Sequence, residues 1–333
     1  GEIVDEIILK LKKLVVKIKN KLTCSILLCD FLFPKFLKRN LYDHQLMDGQ
    51  VGTILSINQG LKKVFDKVNG VYIFSLFYIA SKYGFKAIYD EKMYFYARVM
   101  YKPFFLSKIG LHLNNFCDSL LRGRKKCLVL DLDYTLWGGI IGEDGINGIK
   151  LGSNYPGNVY VEIQKVIKEI KRNGILLAIN SKNNFDDAKE VFDKHPDCLL
   201  KLEDFSSIYI NWEKKHKNMK KIAAELNIGI ESLVFVDDNP IEIDEIKYTY
   251  PEIKTVQFEK NDAIKNLNRL REITYFDSLN ITREDIQKSE QYRHNKVREK
   301  LKQSFNDLDS FYKSLSIKVK ISLSDKFSIP RIS

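Results

Sequence analysis

Leu128-Val-Leu-Asp-Leu-Asp-Tyr-Thr-Leu-Trp137 is the stretch that decides how this chain is read. From Cys127 to Leu130 every residue is apolar, and acids then stand at positions 131 and 133. A short apolar run of this kind predicts a strand buried on both faces, as in parallel sheets. Side chains two apart on a strand share a side, so a strand that persists this far presents Asp131 and Asp133 together at its carboxyl end.

Outward from that strand the pattern repeats. Helical periodicity is expected over about 158–172, 185–194 and 214–226, and apolar strands at Ile175–Ile179, Leu233–Val236 and near Thr255–Phe258. Short strands alternating with helices predict an α/β fold, a parallel Rossmannoid sheet covered on both faces. Ligands of such sheets gather beyond the carboxyl ends of the strands. Those ends carry Asp131 and Asp133, then Asn180, Ser181 and Lys182, then Asp237, Asp238 and Asn239, with Lys215 opening a helix between them.

These residue types suit phosphoryl transfer, which needs an in-line nucleophile, a proton donor, and cations and donors around the phosphoryl oxygens. An aspartate serves as the nucleophile because an aspartyl-phosphate divides one hard displacement into two. Carboxylates gathered at one end of a sheet repel one another unless a hard cation lies between them, and Mg²⁺ prefers such oxygen ligands. The plainer alternative makes the acids solvated turn residues, and Ser181 and Lys215 ordinary helix-start residues. The order of all four segments argues against coincidence.

The bulk composition is compatible with this. A chain of 333 residues with 44% hydrophobic content can bury two cores without staples. Five cysteines, none in a Cys-x-x-Cys pair, indicate neither a zinc site nor a disulfide framework, and reduced thiols point to a cytoplasmic location. No apolar run reaches membrane-spanning length, and the acidic start is unlike a secretory leader. The net charge of +11 is spread among acids and has no nucleic-acid reading motif beside it. A small phosphorylated substrate or an acidic carrier protein would feel the same field.

The four segments resemble the four motifs of the haloacid-dehalogenase (HAD) superfamily, in the order of that family. Receiver domains share the residue types, but their paired acids follow the first strand, whereas Asp237 and Asp238 come last here. The resemblance implies Asp131 as nucleophile, Asp133 as general acid and base, and Ser181 and Lys215 as phosphoryl ligands. It implies Mg²⁺ held by Asp131, Asp133 through its backbone carbonyl, Asp237 and Asp238. Trp137, Gly138, Gly139, Asn180, Lys182, Asn183 and Asn239 are the expected substrate contacts.

Leu136-Trp-Gly-Gly-Ile-Ile-Gly-Glu-Asp-Gly145 is more distinctive and resembles the FkbH-like branch. So do Ser181-Lys-Asn183, His195-Pro196, Asp204-Phe205, Trp212 with Lys215, and Val236-Asp-Asp-Asn-Pro240. Members of that branch load a glyceryl unit from a phosphorylated three-carbon acid onto an acyl carrier protein. Their transferases carry a cysteine where this chain has Asn180, and an amide is no comparable nucleophile. Three outcomes are therefore expected in order: a phosphatase-like enzyme acting on a small phosphorylated acid or acyl phosphate, an acyl transferase that uses the acceptor's own nucleophile, and a non-enzymatic docking module. The glycines from 138 to 145 read as a mobile hairpin anchored by Trp137, and the stretch from Asp133 to the next helix is too short for a large cap.

The flanks extend the resemblance. Residues 1–121 look like a partial SGNH-hydrolase-like α/β domain without the Gly-Asp-Ser nucleophile block, and are expected to be non-catalytic. Its first helix, over 2–22, puts Val4, Ile7, Ile8, Leu11, Leu14, Val15, Ile18 and Leu22 on one face. The catalytic domain is expected over 122–260. Residues 261–333 then form a helical linker, with a helix opening at Thr282 and Asp285, Tyr292 within it, and a strand at Ile317–Leu323, leading toward an acetyltransferase-like domain.

Overall fold

Cys127, Leu128, Val129 and Leu130 are all fully buried and form the central strand of a five-stranded parallel sheet. The computed structural model describes residues 2–121 and 123–279. The expected helix at Thr282–Asp285, Tyr292 and the expected strand at Ile317–Leu323 lie outside the described residues. The chain divides into two compact units, Gly1–Leu121 and Arg122–Ser333.

The first unit runs α1 (Glu2–Lys19), β1 (Ile26–Cys29), α2 (Gln50–Phe65), β2 (Val71–Phe74), α3 (Leu76–Tyr83), α4 (Phe85–Ile88), α5 (Glu91–Ala97) and α6 (Pro103–Leu121). β1 and β2 pair in parallel, with Ile26 opposite Val71 and Cys29 opposite Phe74. The apolar face of α1 meets α2 through Val4, Ile7, Ile8, Leu11 and Val15, packed with Ile57, Leu61 and Phe65. Leu14 and Leu22 are exposed instead of joining that face. α2 was not evident from the sequence, because Gly52, Asn58 and Gly60 interrupt its apolar stripe. Asp43 fixes its start by accepting the backbone N–H groups of Gln50 (2.8 Å) and Val51 (3.1 Å).

The second unit runs β3 (Cys127–Leu130), α7 (Ile141–Gly148), α8 (Gly157–Arg172), β4 (Leu176–Ser181), α9 (Phe185–Lys194), β5 (Ser207–Ile210), α10 (Lys215–Glu225), β6 (Leu233–Asp237), α11 (Pro240–Thr249), β7 (Lys254–Gln257) and α12 (Ala263–Arg271). The sheet order is β5-β4-β3-β6-β7. Alternation along each strand sends side chains to two cores. Leu128, Leu130, Leu177, Ile179, Val234 and Val236 meet residues of α8, α9 and α12. Cys127, Val129, Leu176, Ala178, Leu233 and Phe235 meet those of α10 and α11. Burial of one such Val, Leu or Ile side chain is worth about 1.5–3 kcal/mol. The helix following residue 260, α12, buries Ala263, Leu267 and Leu270 in the first of these cores.

The stretch after β3 departs from the expected mobile hairpin. Gly138 and Lys150 form an antiparallel bridge, with hydrogen bonds of 3.0 and 2.6 Å, and α7 lies between them. Asp144 accepts the Ile140 N–H at 2.8 Å and ties the start of that helix down. A Cβ at Gly138 would stand 2.8 Å from the Tyr160 ring, so this glycine permits close packing rather than motion. Between β3 and α8 the chain builds α7 and no larger inserted layer.

Candidate active site

Register brings the site together. Leu130 is opposite both Ile179 and Val236, so the residues that follow, Asp131, Asn180 and Asp237, lie level across three adjacent strands. The Asp131 N–H continues the ladder to the Val236 carbonyl at 3.0 Å. Lys215, the first residue of α10, reaches into the same place. Its ammonium lies 2.6 Å from Asp237 Oδ2 and 3.0 Å from Asp131 Oδ1. Asp238 completes the group: one carboxylate oxygen each of Asp131, Asp237 and Asp238 lies within 4.8 Å of the others.

Lys215 is only 3% exposed, and the three acids are buried with it. Burial disfavours its charge, but Asp131 and Asp237 outweigh burial and hold its pKa above the ordinary lysine value. Burial and then the Asp131 charge raise Asp237, with Lys215 opposing them. Burial and Asp131 likewise raise Asp238, while Lys260 at 3.5 Å pulls the other way. Asp131 Oδ1 is buried and makes no hydrogen bond of good geometry, Lys215 standing near it as an ion-pair partner. Two ammonium groups, the buried Lys215 and the half-exposed Lys260, against three buried carboxylates leave uncompensated negative charge among oxygen donors, a set that suits a hard divalent cation.

Asp133 faces a different group. Its Oδ1 accepts the Trp137 indole N–H (2.8 Å) and the Ile141 backbone N–H (3.1 Å), and its Oδ2 accepts Asn183 Nδ2 (2.9 Å). Burial pushes its pKa up to about 6, although the Ile141 and Trp137 bonds lower it. Its two oxygens are thus held by Trp137, Ile141 and Asn183, while the charges of Asp131 and Asp238 also act to raise it.

The expected substrate contacts are divided by the structure. Trp137 is fully buried against Phe192 and serves Asp133. Asn183 serves it too, and its own Oδ1 takes the Asn184 N–H at 3.0 Å. Asn180 is fully buried, donating to the Lys215 carbonyl at 2.9 Å. Asn239 caps α11 through Ile241 N–H (3.0 Å) and gives its own N–H to Asp237 Oδ1 (2.8 Å). Lys182 is turned to Glu242 at 2.6 Å. Gly138 and Gly139 belong to the bridge before α7, Gly139 in a left-handed conformation (φ 99°). Ser181 is buried at the end of β4.

Asn218, Glu242 and Lys260 also adjoin the site and were not evident from the sequence. Asn218 stands three residues after Lys215 on α10, a helical spacing that puts both on one face, and this was the available signal. Lys260 comes from the loop after β7, and its ammonium also lies 5.1 Å from the Tyr134 ring centroid. No spacing rule links it to the motifs.

No protein-family model and no curated protein matches the chain. Among solved structures, the chain is similar to the N-terminal part of the protein BF1531 from Bacteroides fragilis, containing a phosphatase domain complexed with Mg. The TM-score is 0.71 at 26% identity, and the match covers 84% of this chain and 74% of that one. The fold is haloacid-dehalogenase-like. A HAD family enzyme from Bacteroides thetaiotaomicron, in complex with magnesium and inorganic phosphate, superposes with a TM-score of only 0.30 at 18% identity, over 41% of this chain and 95% of that one. An uncharacterized protein from Corynebacterium glutamicum reaches 0.29 at 11% identity, over 44% and 96%. Both are too distant in shape to bear on the site. Among the described residues, no helix is long and apolar enough to cross a membrane.

Proposed function

We propose that the second unit is a magnesium-dependent phosphatase-like enzyme of the HAD superfamily, FkbH-like branch, acting on a small phosphorylated acid or acyl phosphate. The observation that carries the reading is the buried group of Asp131, Asp237 and Asp238 around Lys215, with Asp133 held alongside. An Asp131 oxygen attacks phosphorus, the bond to the leaving oxygen breaks, and Asp133 gives that oxygen its proton. Water then attacks the aspartyl-phosphate, Asp133 takes its proton, and phosphate leaves with Asp131 restored. Ser181 and Lys215 hold the phosphoryl oxygens and offset their charge. Asp131, Asp237, Asp238 and the Asp133 carbonyl would hold Mg²⁺, which supplies Lewis-acid stabilisation of phosphoryl charge. The similar Bacteroides fragilis domain, complexed with Mg, supports Mg²⁺ as the cation.

Plain phosphate release is favoured over acyl transfer through an enzyme thiol. Both cysteines of the second unit, Cys127 and Cys198, are buried, and burial raises both thiols, Cys198 to about 11. Asn180, at the position of interest, is tied to a backbone carbonyl. Transfer to an acyl carrier protein would then rest on the nucleophile of the acceptor.

A phosphate-release screen with acyl phosphates and phosphomonoesters, with Mg²⁺ or with chelator, tests the reading. Release that needs Mg²⁺ and disappears in Asp131→Asn is expected, and release unchanged by that substitution contradicts it. Intact-mass measurement of a carrier protein present in the same reaction should show no added acyl group.

A further inference from the structure

Three asparagines adjoin Lys215: Asn180 in β4, Asn211 just after β5, and Asn218 in α10. Asn180 and Asn218 are completely buried. Asn180 Nδ2 donates to the Lys215 carbonyl at 2.9 Å, and Asn218 Nδ2 donates to Asn180 Oδ1 at 3.1 Å and to Asn211 Oδ1 at 3.0 Å. Neither acceptor is free to turn. Asn180 must keep its NH₂ on the Lys215 carbonyl, and Asn211 Oδ1 also takes the Glu213 N–H at 3.0 Å. The Asn218 amide therefore has one admissible orientation. That orientation leaves its Oδ1 buried without a hydrogen-bond partner among the described residues.

A buried acceptor with no partner lowers folding stability, and replacing a whole polar group by apolar side chains of similar volume can be neutral or favourable. The network is thus a poor device for stability alone. What it does hold is the start of α10: Lys214, at the N-cap, makes no side-chain cap, and the carbonyl of the next residue is the one tethered to β4. That next residue is Lys215, whose ammonium must sit between Asp131 and Asp237.

We propose that Asn180 and Asn218 are positioning residues, which set Lys215 between the two carboxylates at the expense of folding stability. The inference rests on the reading of Lys215 as a phosphoryl ligand. Asn180→Leu with Asn218→Leu removes the donors, the acceptors and the unpaired oxygen together. Its kcat for phosphate release should fall at least about tenfold while KM changes far less, because small displacements of a catalytic group act on the reacting geometry. Its unfolding midpoint should be equal to or above that of the wild type. Ser207→Ala, at the amino end of β5 away from the site, is the structural control: a lower midpoint with unchanged kcat. Should the double variant not fold, Asn218→Met alone, which releases Asn180 Oδ1, should show the same fall in kcat, with a lower midpoint because that oxygen is left buried without a donor. A crystal structure of either variant should show Lys215 no longer within reach of both Asp131 and Asp237. Unchanged kcat in a folded variant, or Lys215 in its original place, overturns the proposal. A wild type that releases no phosphate at all removes the proposed function instead, and the Lys215 position still decides the positioning claim.

Discussion

The Lys215 ammonium lies 2.6 Å from Asp237 Oδ2, both groups being almost wholly withdrawn from water. Removing one partner of such a pair leaves a buried charge uncompensated, at a cost of about 3–5 kcal/mol. Lys215→Met should therefore destabilise the second unit by roughly that amount in denaturant unfolding without Mg²⁺. Added Mg²⁺ should restore part of the loss, since a cation would meet the same carboxylates. A variant as stable as the wild type would mean that the pair contributes nothing net.

Mg²⁺ binding to the folded state alone should raise the unfolding midpoint of the wild type in proportion to the logarithm of its concentration. Asp238→Asn removes one of the three clustered carboxylates and should weaken that dependence. Thermal melts across a Mg²⁺ series, with Ca²⁺ as a comparison, measure this. An Asp238→Asn protein with the full wild-type shift would take Asp238 out of the metal set.

Gly138 is packed too closely for a side chain, with a Cβ placed 2.8 Å from the Tyr160 ring and 3.0 Å from Lys150 Cβ. Gly138→Ala should cost about 1–3 kcal/mol, as overpacking usually does. Because the bridge it forms lies next to Trp137, the variant should also reduce phosphate release. Equal stability would show that Tyr160 can move aside.

In the first unit, the backbone N–H groups of Val51 and Gln50 hold the Asp43 carboxyl below its ordinary value of 3.8. A carboxylate with a depressed folded pKa stabilises the fold above its unfolded value, and the contribution disappears as pH falls through the folded value. The amide protons of Gln50 and Val51 should therefore lose hydrogen-exchange protection in acid, below about pH 4. In Asp43→Asn, protection should be lower at neutral pH and should not change with acid. Protection in the wild type that persists through this range would contradict the cap.

The strand ends were legible in the sequence because each follows a run of buried apolar residues: Asp131 after Cys127–Leu130, Ser181 after Ile175–Ile179, Asp237 after Leu233–Val236. Lys215 was legible as the opening of a helix. β5 was not, since Ser207, Ile208, Tyr209 and Ile210 alternate weakly and only their ends are buried. Trp137 was an expected substrate contact only through the family resemblance, and the residues themselves suggested a hydrophobic anchor, which agrees with its full burial. Its hydrogen bond to Asp133 depends on a turn in which Leu136 N–H meets the Leu132 carbonyl at 2.8 Å, a geometry that spacing alone does not reveal. Asn180 was read as a missing nucleophile, and its tie to Lys215 crosses 35 positions of sequence.

The central claim is that Asp131 takes up the phosphoryl group. Rapid acid quench of the wild-type protein turning over an acyl phosphate with Mg²⁺, followed by peptide mapping by mass spectrometry, tests it most directly. The account predicts one phosphoryl group on the peptide that contains Asp131, and none in Asp131→Asn. Phosphate release that proceeds with the label on another residue, or with no phosphoryl-protein in a quench faster than turnover, would contradict it.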